Sequence, residues 1–439
     1  MASQVVSSWG KVISAEHAIV RLASRHQTFP DIPPEASVLP FGNGRSYGDS
    51  CLNIGGALLQ TRTLDRFIAF DPESGSFACE SGVLLADIVR LVVPRGWFVP
   101  VTPGTQFVTV GGAIANDVHG KNHHQTGTFG RHVRRLELLR SDGRRMQCSE
   151  SENPEWFAAT VGGLGLTGAI TQAEIQLRRI ASPLMDVETI RFSNLDEFLA
   201  LCTDSDENFE YTVAWIDCLG QGRRLGRGLL QRANHAESLS TTSAPQPAHQ
   251  FSVPFTPPFS LINAASLRLF NTAYYHRQRG PRSRRTAPLQ AFFYPLDNVL
   301  HWNRLYGPRG LYQYQCVIPS ACGRDATEAL LKTIAGSGLG SMLAVLKLFG
   351  DLSSPGMLSF PRQGVTLALD FPNRGERLER LFKSLDDIVQ SAGGRLYPAK
   401  DGRMPGSLFR SGYPCWTEFA RFIDPRCSSS FWRRVTESA

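Results

Sequence analysis

Two glycine-rich blocks, each placed behind a short apolar run, constrain this chain more than any other feature. The first is Pro40-Phe41-Gly42-Asn43-Gly44-Arg45-Ser46-Tyr47-Gly48-Asp49-Ser50, which follows the β-like run SVLPF and sets three glycines within seven residues. Backbone N–H groups in such a loop can turn inward and approach a ligand closely, as a pyrophosphate requires. Read alone, the loop is more readily a plain turn. The second block opens with Pro103-Gly104-Thr105 and continues as Thr109-Val110-Gly111-Gly112-Ala113-Ile114-Ala115-Asn116-Asp117-Val118-His119-Gly120-Lys121-Asn122-His123-His124. Its Gly111-Gly112 pair can open a helix whose N-terminus faces a phosphate. Two such blocks in one chain favour a phosphate-bearing ligand over two chance turns.

The remaining chain reads as α+β. Forty Gly and 27 Pro in 439 residues punctuate it too often for a helix bundle, and 42% hydrophobic residues exclude wholesale disorder. Residues 14–26 have helical spacing, and so does 84–96, stopped by Pro94 and Gly96. Short strand-like runs lie at 37–41, 56–60, 66–70 and 77–81. A hairpin follows with Asp142-Gly143 as its turn, then a helix around PEWFAATV and a strand at 169–179. From about 183 the units lengthen: strands at 211–218, 311–319, 341–350 and 364–371 alternate with the helical patterns NLDEFLALC, DATEALLKTIAG and GERLERLFKSLDDIVQSAGG. Between them, 232–250 reads as a polar surface loop. The stretch 277–285 reads as a solvated loop carrying Arg277, Arg279, Arg282, Arg284 and Arg285, which would suit an anion or an anionic membrane surface.

Several function classes fall away. The string Gly163-Leu164-Gly165-Leu166-Thr167-Gly168 fits GxGxxG, but a helical pattern precedes it and a strand follows, the reverse of a Rossmann site. No P-loop motif occurs. His119, His123 and His124 match no zinc spacing, and the nine Cys form no CxxC pair, so no metal is expected and the thiols read as reduced. The balance of 46 basic to 39 acidic residues is too slight to indicate nucleic acid. Six of the basic residues are Lys and forty Arg, and three of those six, Lys121, Lys347 and Lys400, fall in candidate site segments. No apolar run reaches the roughly 18 residues of a membrane span, and no charged segment followed by an apolar one opens the chain. The expectation is a cytoplasmic enzyme, with peripheral contact at the inner membrane face.

Strand alternation marks a second candidate region. In GVTLALDF it places Thr366, Ala368 and Asp370 on one face, opposite Val365, Leu367, Leu369 and Phe371. Gln313 and Gln315 share a face of LYQYQCV, and Lys347 interrupts an apolar strand. Polar groups at period two suit either a ligand-facing sheet or an exposed one.

The strings GNGRSYGDS, PVTPGTQFVTVGGAIANDVHGKNHH and VGGLGLTGAI resemble the flavin-binding half of the vanillyl-alcohol-oxidase-type flavoproteins. GGAIANDVHGKNHH, WNRLYGPRGLYQYQ, LKLFGDLSSPGMLSFP and GGRLYPAKDGR are more specifically similar to the decaprenylphosphoryl-β-D-ribose 2′-oxidase family, in order along nearly the whole chain. The resemblance implies FAD, bound in a two-lobed α+β domain over 1–182. An antiparallel-sheet substrate domain would occupy 183–394, with a C-terminal return over 395–439. It implies cofactor contacts at Pro40 to Ser50, Gly104, Thr109 to Gly112, Asn116 to His119, Ile170 and Tyr397. It turns the polar strand face into a substrate pocket of Gln313, Gln315, Lys347 and Asp370, with Lys121 and Trp215 as further lining. Arg45 stands where many relatives carry a flavin-linking His, so the FAD is expected to be non-covalent. Ala368 stands where the mycobacterial oxidases carry a Cys.

The activity so implied is oxidation of a sugar secondary alcohol, the 2′-hydroxyl of a polyprenyl-phosphoryl ribose. Lys400 is the first candidate for the base, its neighbours Asp401 and Arg403 complicating that role, with His119 and Tyr47 as alternatives. A separate NAD(P)H-dependent short-chain reductase would complete an epimerisation. A soluble sugar-alcohol or aldonolactone oxidase, and a catalytically silent flavin-binding subunit, are the competing readings.

Overall fold

The computed structural model describes residues 2–33, 35–237 and 251–437. The first part of the chain builds two sheets. One has four strands in the order Ala2–Ser7, Ser14–Arg21, Ala57–Gln60, Val38–Phe41, antiparallel in its first pair and parallel in the other two. The other has five antiparallel strands in the order Phe67–Phe70, Ser76–Glu80, Ala169–Gln176, Val133–Leu139, Arg145–Cys148. The expected hairpin and the helices Leu85–Val92 and Pro154–Thr160 are present. Residues 14–21 differ from expectation: they form a strand, not a helix. Partners on both sides override the helical spacing, because Ala2–Ser7 pairs residue by residue with Ser14–Ile19 and Ala57–Gln60 takes the other edge.

An eight-stranded antiparallel sheet follows, in the order Arg282–Pro288, Leu184–Phe192, Gly228–His235, Tyr211–Ile216, Ala344–Phe349, Gly364–Pro372, Leu311–Pro319, Arg395–Leu396. Helices Leu195–Ser205, Gly323–Ser337 and Glu376–Ser391 contribute Phe198, Leu330 and Leu385 to one core with this sheet. Val365, Leu367, Leu369 and Phe371 enter that core, as period two requires, which turns Thr366, Ala368 and Asp370 to the opposite face.

Two loop expectations need correction. Residues 282–288 are an edge strand, in which Arg284 pairs opposite Glu188. Burial would push the Glu188 carboxyl up, but Arg284 and Arg232 donate to it, Arg282 stands beside it, and together they hold it below its ordinary range. Two of the five arginines therefore serve the fold. In the 232–250 segment, 232–235 completes the strand Gly228–His235, and 238–250 lies outside the described residues. No helix among the described residues is long and apolar enough to cross a membrane.

Candidate active site

The first glycine-rich block leaves the strand Val38–Phe41 as an open loop, with Gly44 at φ +59°. None of the amides of Gly42 to Ser46 donates to a main-chain carbonyl among the described residues. The loop is fixed by its other groups. Trp9 N donates to Ser46 O at 2.9 Å, Tyr47 N to Ala399 O at 3.0 Å, and Asn43 Nδ2 to Phe107 O at 2.7 Å. Close approach explains two glycines. A Cβ on Gly42 would lie 2.5 Å from Thr109 Oγ1, and one on Gly48 only 1.8 Å from Asp401 O. The Arg45 guanidinium stacks 4.2 Å over Trp9, and among the described residues its buried Nε, like the buried Ser50 Oγ and Ser81 Oγ, has no partner.

The second block forms the helix Val110–Ala115, yet its N-terminus is not an open phosphate site. Val110 N donates to Val83 O, Gly111 N to Ser81 O, and Gly112 N to the Thr109 side chain. Two carboxylates named as cofactor contacts are also taken by the frame. Asp117, at φ +39°, accepts from Gly130 N at 2.8 Å and from the hydroxyls of Ser354 and Ser359 at 2.5 Å. Asp49 receives a bidentate pair from Arg434 at 2.7 and 2.8 Å. Buried acids with complete partner sets hold backbone in place; they have little left for a ligand. Asn116 O accepts from Tyr397 Oη at 3.0 Å, and Tyr397 stacks on Phe360 at 4.6 Å. Ile170 and Val118 are buried, while the space beside Gly104 is open.

The other side of the site is the free face of the eight-stranded sheet. Register sets three lateral rows across neighbouring strands: Val317, Thr366 and Lys347; Gln315, Ala368, Val345 and Trp215; Gln313 and Asp370. Gln313 Nε2 donates to Asp370 Oδ1 at 2.5 Å. Gln315 Nε2 lies 2.9 Å from His119 Nε2, which joins the sheet face to the end of the second glycine block. The imidazole Nδ1 of His119 is buried and has no partner among the described residues. Its ring is enclosed by Phe349, Phe360 and Tyr397, and burial, with Lys347 and Lys400 adding to it, holds it well below the usual imidazole range. It is a neutral hydrogen-bonding group at pH 7.

Three of the six lysines converge here. Lys400 Nζ sits 4.0 Å from the Tyr47 ring centroid and forms no salt bridge among the described residues. The expected interference from its neighbours does not occur. Asp401 turns to Arg434 and the amides of Arg403 and Met404, and Arg403 makes a bidentate pair with Asp386. Burial pushes the Lys400 amine down, with Asp370 opposing, and pushes the Asp370 carboxyl up, with Gln313 and Lys400 opposing. Lys347, 3.3 Å from Gly120 O, is lowered by burial to about 8, and Lys121, bonded to Phe292 O, by burial and by Lys347 to about 7. Trp215 stands in the sheet row but donates its Nε1–H to Met342 O and packs on Tyr274.

Sequence reasoning missed Tyr306, whose buried Oη has no partner among the described residues and whose ring shares a cluster with Tyr47 and Trp302. It lies in the WNRLYGPRGLYQYQ string, whose family likeness was the signal that could have pointed to it. His123 is packed against the Phe349 ring at 4.4 Å, and among the described residues no three His, Cys, Asp or Glu side chains gather as metal ligands.

A glycine cradle whose amides are uncommitted among the described residues, buried polar atoms at Arg45, Ser50 and His119 without a partner there, and a polar sheet face beside it fit FAD. Residues 17–149 match the FAD binding domain family. The chain is a flavoprotein, an FAD-dependent oxidoreductase. It is 36% identical to decaprenylphosphoryl-β-D-ribose oxidase of Mycolicibacterium smegmatis over 88% of this chain and 86% of that one. An uncharacterised protein of Streptomyces coelicolor is 35% identical over 78% of this chain and 96% of its own. L-gulonolactone oxidase of Mus musculus, 30% identical, matches only 31% of this chain and 30% of its own. The chain belongs to the decaprenylphosphoryl-β-D-ribose oxidase family.

Proposed function

We propose that this protein oxidises the 2′-hydroxyl of a polyprenyl-phosphoryl-β-D-ribose to the 2′-keto form, the oxidative half of an epimerisation in arabinofuranose donor synthesis. The observation that carries this reading is the lysine cluster. Oxidising a neutral sugar requires one base, whereas Lys347, which feels the charge of Lys400, and Lys121, which feels that of Lys347, add two half-buried cations that suit a phosphate. FAD would be held by the Gly42 to Ser46 loop, whose amides, uncommitted to main-chain carbonyls among the described residues, are free to donate to its pyrophosphate. The chain divides into 1–182, 183–394 and 395–439 around it.

FAD, when bound, supplies the hydride acceptor. Gln313, Gln315 and Asp370 orient the sugar ring, and Trp215 closes the row beside them. As hydride leaves C2′, the neutral amine of Lys400 takes the proton from O2′ and becomes an ammonium. The Tyr47 ring stabilises that cation from its face. His119, neutral and bonded to Gln315, holds its position without changing charge. Arg45 cannot link flavin covalently, so the cofactor is releasable. The keto sugar is re-reduced from its other face by a separate nicotinamide-dependent short-chain reductase.

Anaerobic mixing with a panel of sugars tests the reading. Polyprenyl-phosphoryl ribose should bleach the flavin, while free ribose and aldonolactones should not, and no epimer should form from this protein with NADPH alone. Equal bleaching by unphosphorylated sugars would overturn it.

A further inference from the structure

Nine large apolar side chains are strongly exposed among the described residues, and five lie within the single run 251–269. They are Phe251 (65% exposed), Phe255 (67%), Phe259 (66%), Leu261 (44%) and Leu269 (74%). Single exposed apolar groups need no explanation, but a concentration of this kind marks an interaction surface. The other side of the same run is buried. Ile262 and Leu267 pack in one cluster with Tyr47, Trp302, Tyr306 and Leu311, and Arg304 Nη1 donates to Val253 O and Pro254 O. Through Ile262 and Leu267 the run thus shares a cluster with the Tyr47 ring that faces Lys400.

Its charge identifies what it meets. Residues 251–296 contain six Arg and no Asp or Glu, although the whole chain carries 39 acids. Arg282 and Arg284 are engaged by Glu188. Arg268, Arg277, Arg279 and Arg285 are exposed and form no salt bridge among the described residues. Exposed Phe and Leu set among arginines, without a carboxylate, match the chemistry of a bilayer surface bearing anionic headgroups. Aromatic and aliphatic groups enter the acyl boundary there while guanidinium groups pair with phosphate. We propose that the run 251–269, with the arginines beside it, seats this protein on an anionic membrane. The seat lies over the active site, so that a lipid-linked substrate reaches Lys400 without leaving the bilayer. This deepens the reading of the preceding section and rests on it for the substrate.

Vesicle co-sedimentation of the flavin-loaded protein tests the surface. At low salt, wild type should bind phosphatidylcholine–phosphatidylglycerol vesicles, bind pure phosphatidylcholine markedly less, and be released by high salt. The double variant Phe255→Asp/Phe259→Asp should bind the mixed vesicles about tenfold more weakly or worse. Its flavin content, and its oxidation of a short-chain, water-soluble polyprenyl-phosphoryl ribose, should stay at wild-type values. Leu269→Ser, with a milder change in the same direction, guards against misfolding of the double variant. Equal binding by wild type and both variants, or none by wild type at low salt, would overturn the proposal. So would sedimentation velocity showing that the substitutions dissolve a dimer, which would make the run a contact between copies of this chain. Vesicle binding without oxidation of the short-chain substrate would instead sink the proposed function and leave the surface standing.

Discussion

The loop Phe41–Ser50 and the free face of the eight-stranded sheet border one site, but they are built from different materials. The loop offers main-chain amides and is held by contacts so close that Gly42 and Gly48 leave no room for a methyl group. The sheet face offers side chains delivered at period two, with alternate residues committed to the helix-packed core. An amide cradle does not titrate and tolerates no added atoms. A side-chain face titrates and tolerates substitution wherever volume allows. That difference gives each half its own mode of failure.

Gly48→Ala should show the largest effect. Its φ of −115° suits any residue, so the obstacle is space alone: the new Cβ would meet Asp401 O at 1.8 Å. Separating the loop from the Lys400 segment should cost about 3 kcal/mol or more and remove most bound flavin, read from the protein-to-flavin absorbance ratio. Full flavin occupancy in this variant would break the contrast between the two halves. Next in size is Lys400→Ala. It should keep its flavin yet slow flavin reduction by substrate about 100-fold or more in stopped flow. A variant that loses flavin would move Lys400 from the sheet's chemistry to the cradle's.

The pH dependence sharpens the same comparison at about tenfold per pH unit. Below the lowered pKa of Lys400 the amine is protonated and cannot accept a proton, so kcat/KM falls as pH falls. Above about 7 to 8, Lys121 and Lys347 lose their charge and hold a phosphate less well, so KM rises as pH rises. A bell-shaped profile results, and flavin content should stay flat across it. Flavin loss tracking either limb would contradict a cradle made of amides. The smallest effect belongs to Ala368→Cys. Ala368 sits half-buried between Gln315 and Val345, so one added sulfur should change turnover by about twofold or less. It should also make the protein sensitive to thiol alkylation at this position.

Most of the sheet face was legible in the sequence, because a period of two is a local property of the chain. The segregation of Val365, Leu367, Leu369 and Phe371 from Thr366, Ala368 and Asp370 needs only the pleat, and the two glutamines follow the same rule. The order of GLGLTG between helix and strand was also readable, since it depends on neighbours a few residues away. Errors came where a distant partner decides. Residues 14–21 became a strand because edges from 2–7 and 57–60 were available to pair with them. The Gly111 and Gly112 amides are closed off by Ser81 and Thr109, a fact no helix-opening pattern contains.

By itself, the sequence determined the α+β class, the two glycine blocks, the alternating strand face and a family likeness running the length of the chain. These follow from steric and hydrophobic rules that act over a few residues, and from ordered strings that can be compared directly. Tertiary structure alone decided which polar groups are left over. Asp49 and Asp117 are taken by Arg434, Ser354 and Ser359, and Glu188 takes arginines that read as free. Among the described residues Lys400 is left without an ion pair beside Tyr47, since the neighbouring Asp401 pairs with Arg434. Burying a charge is costly unless it is paired, so each acid binds whichever guanidinium or hydroxyl the fold brings within reach, and sequence separation does not encode that reach.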